Sequence, residues 1–418
     1  MVLAAIALGL ALIGTPLFAV IGFAGMVSFH NAEIDGSAIF VELYRIASNP
    51  TLLAIPLFTF AGFVLAEGKT PQRLNRLSQA LFGGFRGGVP LAVLLVCALF
   101  SSFTGASGVT IIALGGLLFP LLIKETGSKK FSLGLITTSG SLGLLFPPSL
   151  PLILYGLIAQ VSVDRLFLAG IIPGFIAIIA VYLYSYIRGG QKSNWDFDKR
   201  EAVSALKGSG WEIPLPFIIM GGIYSGTVTV TEAATLTAAY TLFIQIIINK
   251  EIQLVNDVPR LIRESMILTG SILIILGTAL GFTSYLVDEQ IPMQILSFMQ
   301  VYIHDKWTFL LVLNIFLLIV GCMMDIFSAI VVVVPLIIPI AKSFDINMIH
   351  LGIIFLMNLE IGFSTPPIGM NLFISSSRFE EPVTTLYASI WPFLGIHFIV
   401  LMLVTFIPQI SLFLTTIF

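Results

Sequence analysis

The sequence is short of charge. Only 10% of its 418 residues are Asp, Glu, Lys or Arg, against 57% hydrophobic residues and a mean hydropathy of +1.04. That balance lies outside the range of soluble domains and defines an all-α polytopic membrane protein. The 20 Lys and Arg sit in short segments between apolar runs, and a net charge of −2 leaves no basic surface for nucleic acid. Cysteine is scarce too: Cys97 and Cys322 both stand in apolar context, so no disulfide is expected. His30, His304, His350 and His397 are scattered without metal-site spacing, and GxSxG, HExxH and Walker sequences are missing, so no enzyme is expected. The first twenty residues lack a basic leader and a cleavage signal and read as a retained membrane segment.

Long apolar runs are what the chain has in excess, and a run of about 20 such residues crosses a bilayer. The first, 2–29, is interrupted at Gly14-Thr15-Pro16 and reads as one long span or two short ones. After a span near 50–66, residues 70–86 change character. Thr70 and Pro71 open a helix in which Leu74, Leu77, Leu81 and Phe85 face one way and Arg73, Arg76 and Gln79 the other, the pattern of an amphipathic helix at an interface. The run 89–123 has a centre, FSSFTGASGVT, that is rich in hydroxyls and glycine. Lys69, Arg73, Arg76 and Arg86 precede it, and Lys124, Lys129 and Lys130 follow it. Basic flanks mark the cytoplasmic side, so both ends lie there and the run is a re-entrant hairpin with its tip near 104–108. A polar connector, 188–212, separates the halves. Thr229 and Glu232 have capping-box spacing, which accounts for that acid without a ligand.

Two adjacent prolines stand inside an apolar segment at 139–151, SGSLGLLFPPSLP, and again at 359–369, LEIGFSTPPIG. Each pair removes two N–H donors and drives the preceding residue out of the helical region, so each segment is a broken transmembrane helix. The double prolines lie 219 positions apart, and the same shift lays Pro120 on Pro339, Gly143 on Gly362 and residues 102–109 on 321–328. The second hairpin, 307–341, is preceded by Asp288, Glu289 and Asp305, where the first had basic residues. The two halves therefore open on opposite faces, an inverted-topology repeat of the kind that builds secondary transporters.

Unwound backbone is tolerated in hydrocarbon only where protein or a polar cavity receives it. Carbonyls from 139–143 and 358–362, with hydroxyls from the hairpin tips, are hard oxygen ligands suited to Na⁺. Helix N-termini after the prolines and in the tips suit an anion. Asp325 and Glu360 are the only acids inside these segments, and an intramembrane acid is a functional candidate. The plainer readings are a helix cap for Asp325 and a bond to free backbone for Glu360. Ser149 faces the cavity or caps a helix; Thr104 and Ser107 belong to the site or merely turn the tip.

FTGASGVT with GSLGLLFPPSLPLILYG, and GCMMDIFSAIVVVVPLIIP with IGFSTPPIGMNLF, resemble the signature regions of the large membrane subunit of tripartite ATP-independent periplasmic (TRAP) transporters, over essentially the whole chain. The resemblance implies an elevator-type ion transporter with two re-entrant hairpins and two broken helices. It implies a bacterial inner membrane protein with at least two co-transported Na⁺, a small four-helix membrane subunit, and a periplasmic binding protein that delivers an organic acid such as a C4-dicarboxylate or sialic acid. It places Na⁺ near Ser102, Thr104, Gly105, Ser107 and Gly140 in one half and near Gly321, Asp325, Thr365 and Pro366 in the other. Substrate lies near Thr104, Ser149 and Asp325. The implied division is N-terminal scaffold and arm helix (1–88), first transport half (89–160), scaffold and connector (161–306), second transport half (307–376) and C-terminal scaffold helix (377–418). A stand-alone divalent-anion/sodium symporter and an ion channel are the alternatives. Which acid is carried is not legible.

Overall fold

The computed structural model describes residues 6, 9–10, 14–37, 40–41, 44–45, 48–82, 87–188, 198–300 and 302–417, and all the regular structure among them is helical. The first half comprises α1 (Leu17–Asn31), a 3-10 turn (Pro50–Leu53) leading into α2 (Ala54–Glu67), α3 (Thr70–Phe82), α4 (Gly88–Thr104), α5 (Ser107–Thr126), α6 (Lys129–Ser139), α7 (Leu150–Ala159) and α8 (Val163–Arg188). The connector contributes α9 (Lys199–Gly208) and α10 (Pro214–Tyr224). The second half has α11 (Val230–Phe243), α12 (Asp257–Asp288), α13 (Ile291–Gln300), α14 (Lys306–Met323), α15 (Ile326–Ser343), α16 (Met348–Gly362), α17 (Met370–Phe379) and α18 (Val383–Phe406), followed by α19 (Gln409–Ile417). Among the described residues, eight helices are long and apolar enough to cross a membrane, and α6 and α7 form a ninth, broken span bent by 45°. Whether 2–29 is one span or two falls partly outside the described residues; α1 starts directly after Pro16.

Shifted by 219, the starts of α3 to α8 fall within two residues of the starts of α13 to α18. The duplication therefore covers more than the two hairpins and breaks. Packing repeats it as well. The second leg of each hairpin lies on the outer half of the other half's broken helix, α5 on α17 and α15 on α7. At the outer ends Lys129, beside the base of the first hairpin, pairs with Glu381 after α17, whereas Lys306 at the base of the second bonds Asp345 O. α1 packs on α12 and α2 on α11, so the frame exchanges partners in the same way.

The amphipathic helix is α3, with Leu74 and Leu77 buried against α4 and its neighbours. Its polar side is taken up by protein: Arg73 is paired with Glu212 and, at 2.6 Å, with Glu251, and Arg76 binds Glu201 at 2.7 Å. The hydrogen bond from Arg76 holds the Glu201 carboxyl below its ordinary range. Thr229 and Glu232 form the capping box that their spacing predicts.

Candidate functional site

Each half brings its hairpin and its broken helix into backbone contact through a glycine. A Cβ on Gly143 would overlap Ala98 O and Ser101 Cβ; one on Gly362, the corresponding position, would stand 2.5 Å from Gly321 C and 3.0 Å from Cys322 N. Side chains that large would need the backbone to move, so both positions admit only glycine. Both double prolines contain a cis peptide bond.

Around the first contact lies a ring of buried oxygens. Ser101 Oγ lies 2.6 Å from both Gly140 O and Cys97 O, which share its single proton, and stands 2.9 Å from Thr110 Oγ1, which in turn is 3.4 Å from Thr104 Oγ1. The tip does approach the break: a Cβ on Gly140 would be 3.2 Å from Ser107 O. Hydroxyl and carbonyl oxygens without nitrogen or sulfur are the donor set of a hard cation. Gly105 turns the tip with φ +65, and its N–H bonds Ser101 O. Ser102, one residue out of helical phase, donates instead to Leu99 O at 2.8 Å within its own helix. Ser149 is fully buried, caps α7 by accepting from Leu152 N, and bonds Leu144 O. Its hydroxyl is thus engaged inside its own segment.

The second half has different chemistry on the same backbone. Asp325 caps α15: Oδ1 accepts from Phe327 N and Ser328 N, both at 3.0 Å, and Oδ2 from the Ser328 hydroxyl. Thr365 Oγ1 donates to Ile361 O at 2.8 Å, and Thr365 O receives Gly369 N beside the half-buried Pro366. Asn358 donates to Asn314 Oδ1 at 2.7 Å. Glu360 is buried at 4% exposure and its Oε1 has no hydrogen-bond partner, which does not fit the plainer of its two readings, a bond to free backbone.

At the first tip a polar link joins the halves. Ser107 Oγ donates to Asn371 Oδ1 at 2.7 Å, and Asn371 Nδ2 reaches Ser364 Oγ at 3.4 Å. Four helix N-termini, those of α5, α7, α15 and α17, end at the tips and breaks and point their positive dipole ends there; Ser149 caps that of α7 and Asp325 that of α15. A cavity of about 1240 Å³ lies elsewhere. It separates the start of α2, the α10–α11 turn and the end of α12 from the outer ends of α7 and α15. Gly62 of α2, farther along that helix, touches tip 1: a Cβ there would be 2.5 Å from Phe103 O.

Ser101, Thr110, Asn371 and Gly62 were not singled out from the sequence. The phase of α4 distinguishes Ser101 from Ser102, and Asn371 is a lone amide in an apolar stretch; only those weak signals were available.

Inverted repeats, paired hairpins and interrupted helices with inward N-termini define a multi-pass membrane transporter. The chain belongs to the family described as tripartite ATP-independent periplasmic transporter, DctM component, which matches residues 1–410. It is 35% identical over 375 residues to the C4-dicarboxylate TRAP transporter large permease protein DctM of Pseudomonas aeruginosa, covering 89% of this chain and 88% of that one. It is 31% identical to the sialic acid TRAP transporter large permease protein SiaM of Vibrio cholerae, covering 88% and 87%. Among solved structures the YdaH transporter of Alcanivorax borkumensis, of unusual topology, shares the fold with a TM-score of 0.64 at 14% identity, over 88% of this chain and 86% of that one. The protein is a transporter permease and not an enzyme.

Proposed function

We propose that this chain is the large permease of a sodium-coupled uptake system for an organic acid anion, with C4-dicarboxylates first among the candidates. The observation that carries the reading is the mirrored pair of glycine contacts, Gly143 on Ala98–Ser102 and Gly362 on Gly321–Cys322, each beside hard oxygen donors. One cation sits by the ring of Ser101, Thr104, Thr110 and Gly140; a second sits by Gly321, Asp325 and Thr365. The cargo carboxylate lies between the tips, where four helix N-termini supply positive potential. The relatives' names support the cargo class. The tripartite family description supports two partners, a small membrane subunit and a periplasmic binding protein, and an inner-membrane location.

Transport proceeds by an elevator movement. A carrying body of α4 to α7 and α14 to α17 slides against a frame of α1, α2, α11 and α12. We place α8 and α18 with the carrying body, unlike the division implied by the resemblance, because they pack on α16 and α6. The cavity beside the outer ends of α7 and α15, together with the close contact of Gly62 on tip 1, supports a body resting at one end of its travel.

The test is succinate uptake into proteoliposomes holding this chain with its small subunit and binding protein. Uptake is expected only with an inward Na⁺ gradient and the binding protein. Uptake indifferent to Na⁺ would sink the reading; uptake by this chain alone would favour a stand-alone sodium symporter, and unitary currents a channel.

A further inference from the structure

Arg378 is an arginine without a counter-ion. It lies in the last turn of α17 with its side chain exposed, and among the described residues no hydrogen bond or ion pair engages it. Its guanidinium nevertheless lies against α5. A Cβ on Gly116 of α5 would collide with Arg378 Nη2, and one on Gly115 would stand 2.8 Å from the Phe379 ring and 3.8 Å from Arg378 Cγ. Two adjacent glycines thus form a notch in which the guanidinium rests against the helix backbone.

Its position relates it to the breaks. Asn371, Ile374, Ser375 and Arg378 follow one another along the face of α17 that meets the first half: Asn371 bonds Ser107, Ile374 covers Gly108, Ser375 bonds Thr137, and Arg378 covers Gly116. At the rise of an α-helix Arg378 lies about 10 Å from the Ser107–Asn371 link, toward the end where Lys129 pairs with Glu381. That is the end marked as cytoplasmic by its basic flanks.

The repeat indicates what surrounds such a groove when it opens. Position 378 corresponds to Ala159 and position 116 to Pro335, and both of those residues line the 1240 Å³ cavity. The α7–α15 groove is therefore a wall of the cavity on one face, and the α17–α5 groove is its counterpart on the other. Only the second carries an arginine at this position; the cations that line the cavity, Arg45 and Lys342, stand at other places in it. Charged side chains within membrane segments face the bundle interior or a water-filled path, and a guanidinium matches a carboxylate with two parallel hydrogen bonds.

We propose that Arg378 binds the cargo's carboxylate on the cytoplasmic limb of its path, after the anion leaves the breaks. This inference rests on the uptake reading above. It adds a staging site whose mirror position in the other half is an alanine.

The experiment is inhibition of Na⁺-driven succinate uptake by unlabelled succinate loaded inside the proteoliposomes, with the complete complex and binding protein. In Arg378→Gln the internal concentration that halves uptake is expected to rise about tenfold, while the external concentration giving half-maximal uptake stays within about twofold. Arg378→Lys keeps the charge but loses the fork, so it should fall between the two. Gly116→Leu, which displaces the guanidinium without removing it, should resemble Arg378→Gln. An unchanged internal half-inhibition in Arg378→Gln overturns the proposal alone. A shift that vanishes when anionic lipid is replaced by phosphatidylcholine also overturns it, assigning the guanidinium to a lipid phosphate. Wild-type complex without Na⁺-driven uptake would overturn the functional reading and this proposal with it.

Discussion

The two breaks share one backbone plan but differ in shelter and in chemistry. From Ser141 to Leu150 the first break is buried except for half-buried Phe146, and tip 1 lies under Gly62 of α2. In the second, Pro367 is exposed, Ile368 and Met370 are 48% and 45% exposed, and Met323 at tip 2 is 62% exposed. Glycine and proline at matching positions hold the backbone, and the surrounding side chains are free to diverge. The first half gathers neutral hydroxyls and the second a carboxylate. A pair of sites built this way can bind the same ion with different strength, because a charged ligand attracts a cation more strongly than a hydroxyl does.

The largest effects are expected at the shared backbone contacts. Gly143→Ala and Gly362→Ala should each destabilise the protein by about 1–3 kcal/mol through overpacking and abolish uptake. Thermal unfolding of the purified protein checks this, and a tolerated substitution in one half would break the equivalence of the two contacts. Next come the divergent ligands. Asp325→Ala removes the cap of α15, costing about 1 kcal/mol, and should reduce Na⁺-driven uptake strongly while the detergent-extracted complex stays intact. Normal uptake would remove Asp325 from the site.

A smaller effect is expected where the halves meet. Asn371→Leu installs the residue that the first half carries at Leu152 and strands the Ser107 hydroxyl, at a cost of about 1 kcal/mol. Hydrogen exchange at the start of α17 should rise; unchanged exchange would show that the link holds nothing. The smallest effect concerns Asp305, which caps α14 and has no acidic equivalent before α4. Bonds from the Thr308 hydroxyl, first, and from backbone N–H groups hold its carboxyl below the ordinary range. Its contribution is therefore complete above the usual carboxylate pKa and is lost as pH falls through the lowered folded value. Protection at the first turn of α14, relative to the intrinsic exchange rate at each pH, should fall on acidification in the wild type and be flat with pH in Asp305→Asn.

Much of this comparison was legible before the structure. Double prolines in an apolar run have few structural explanations, and Gly143 and Gly362 repeat in register with them. The charge flanks gave the inversion because membrane orientation follows Lys and Arg. Other features were not legible, each for a physical reason. Ser101 and Ser102 differ by one step of helical phase, which turns a hydroxyl by about 100°. Asn371 finds Ser107 across 264 residues, a contact no local pattern reports. A lone glycine such as Gly62 in an apolar helix has many roles, and only packing distinguishes them. The polar face of α3 looked like a face for water until the connector supplied Glu201 and Glu212.

The central claim is that each half holds its own sodium ion. The Na⁺ dependence of initial uptake tests it most directly, measured for the wild type, Ser101→Ala and Asp325→Asn in the complete complex. The account predicts a Hill coefficient above one for the wild type, falling to about one in either variant. A dependence unchanged by both substitutions would contradict it.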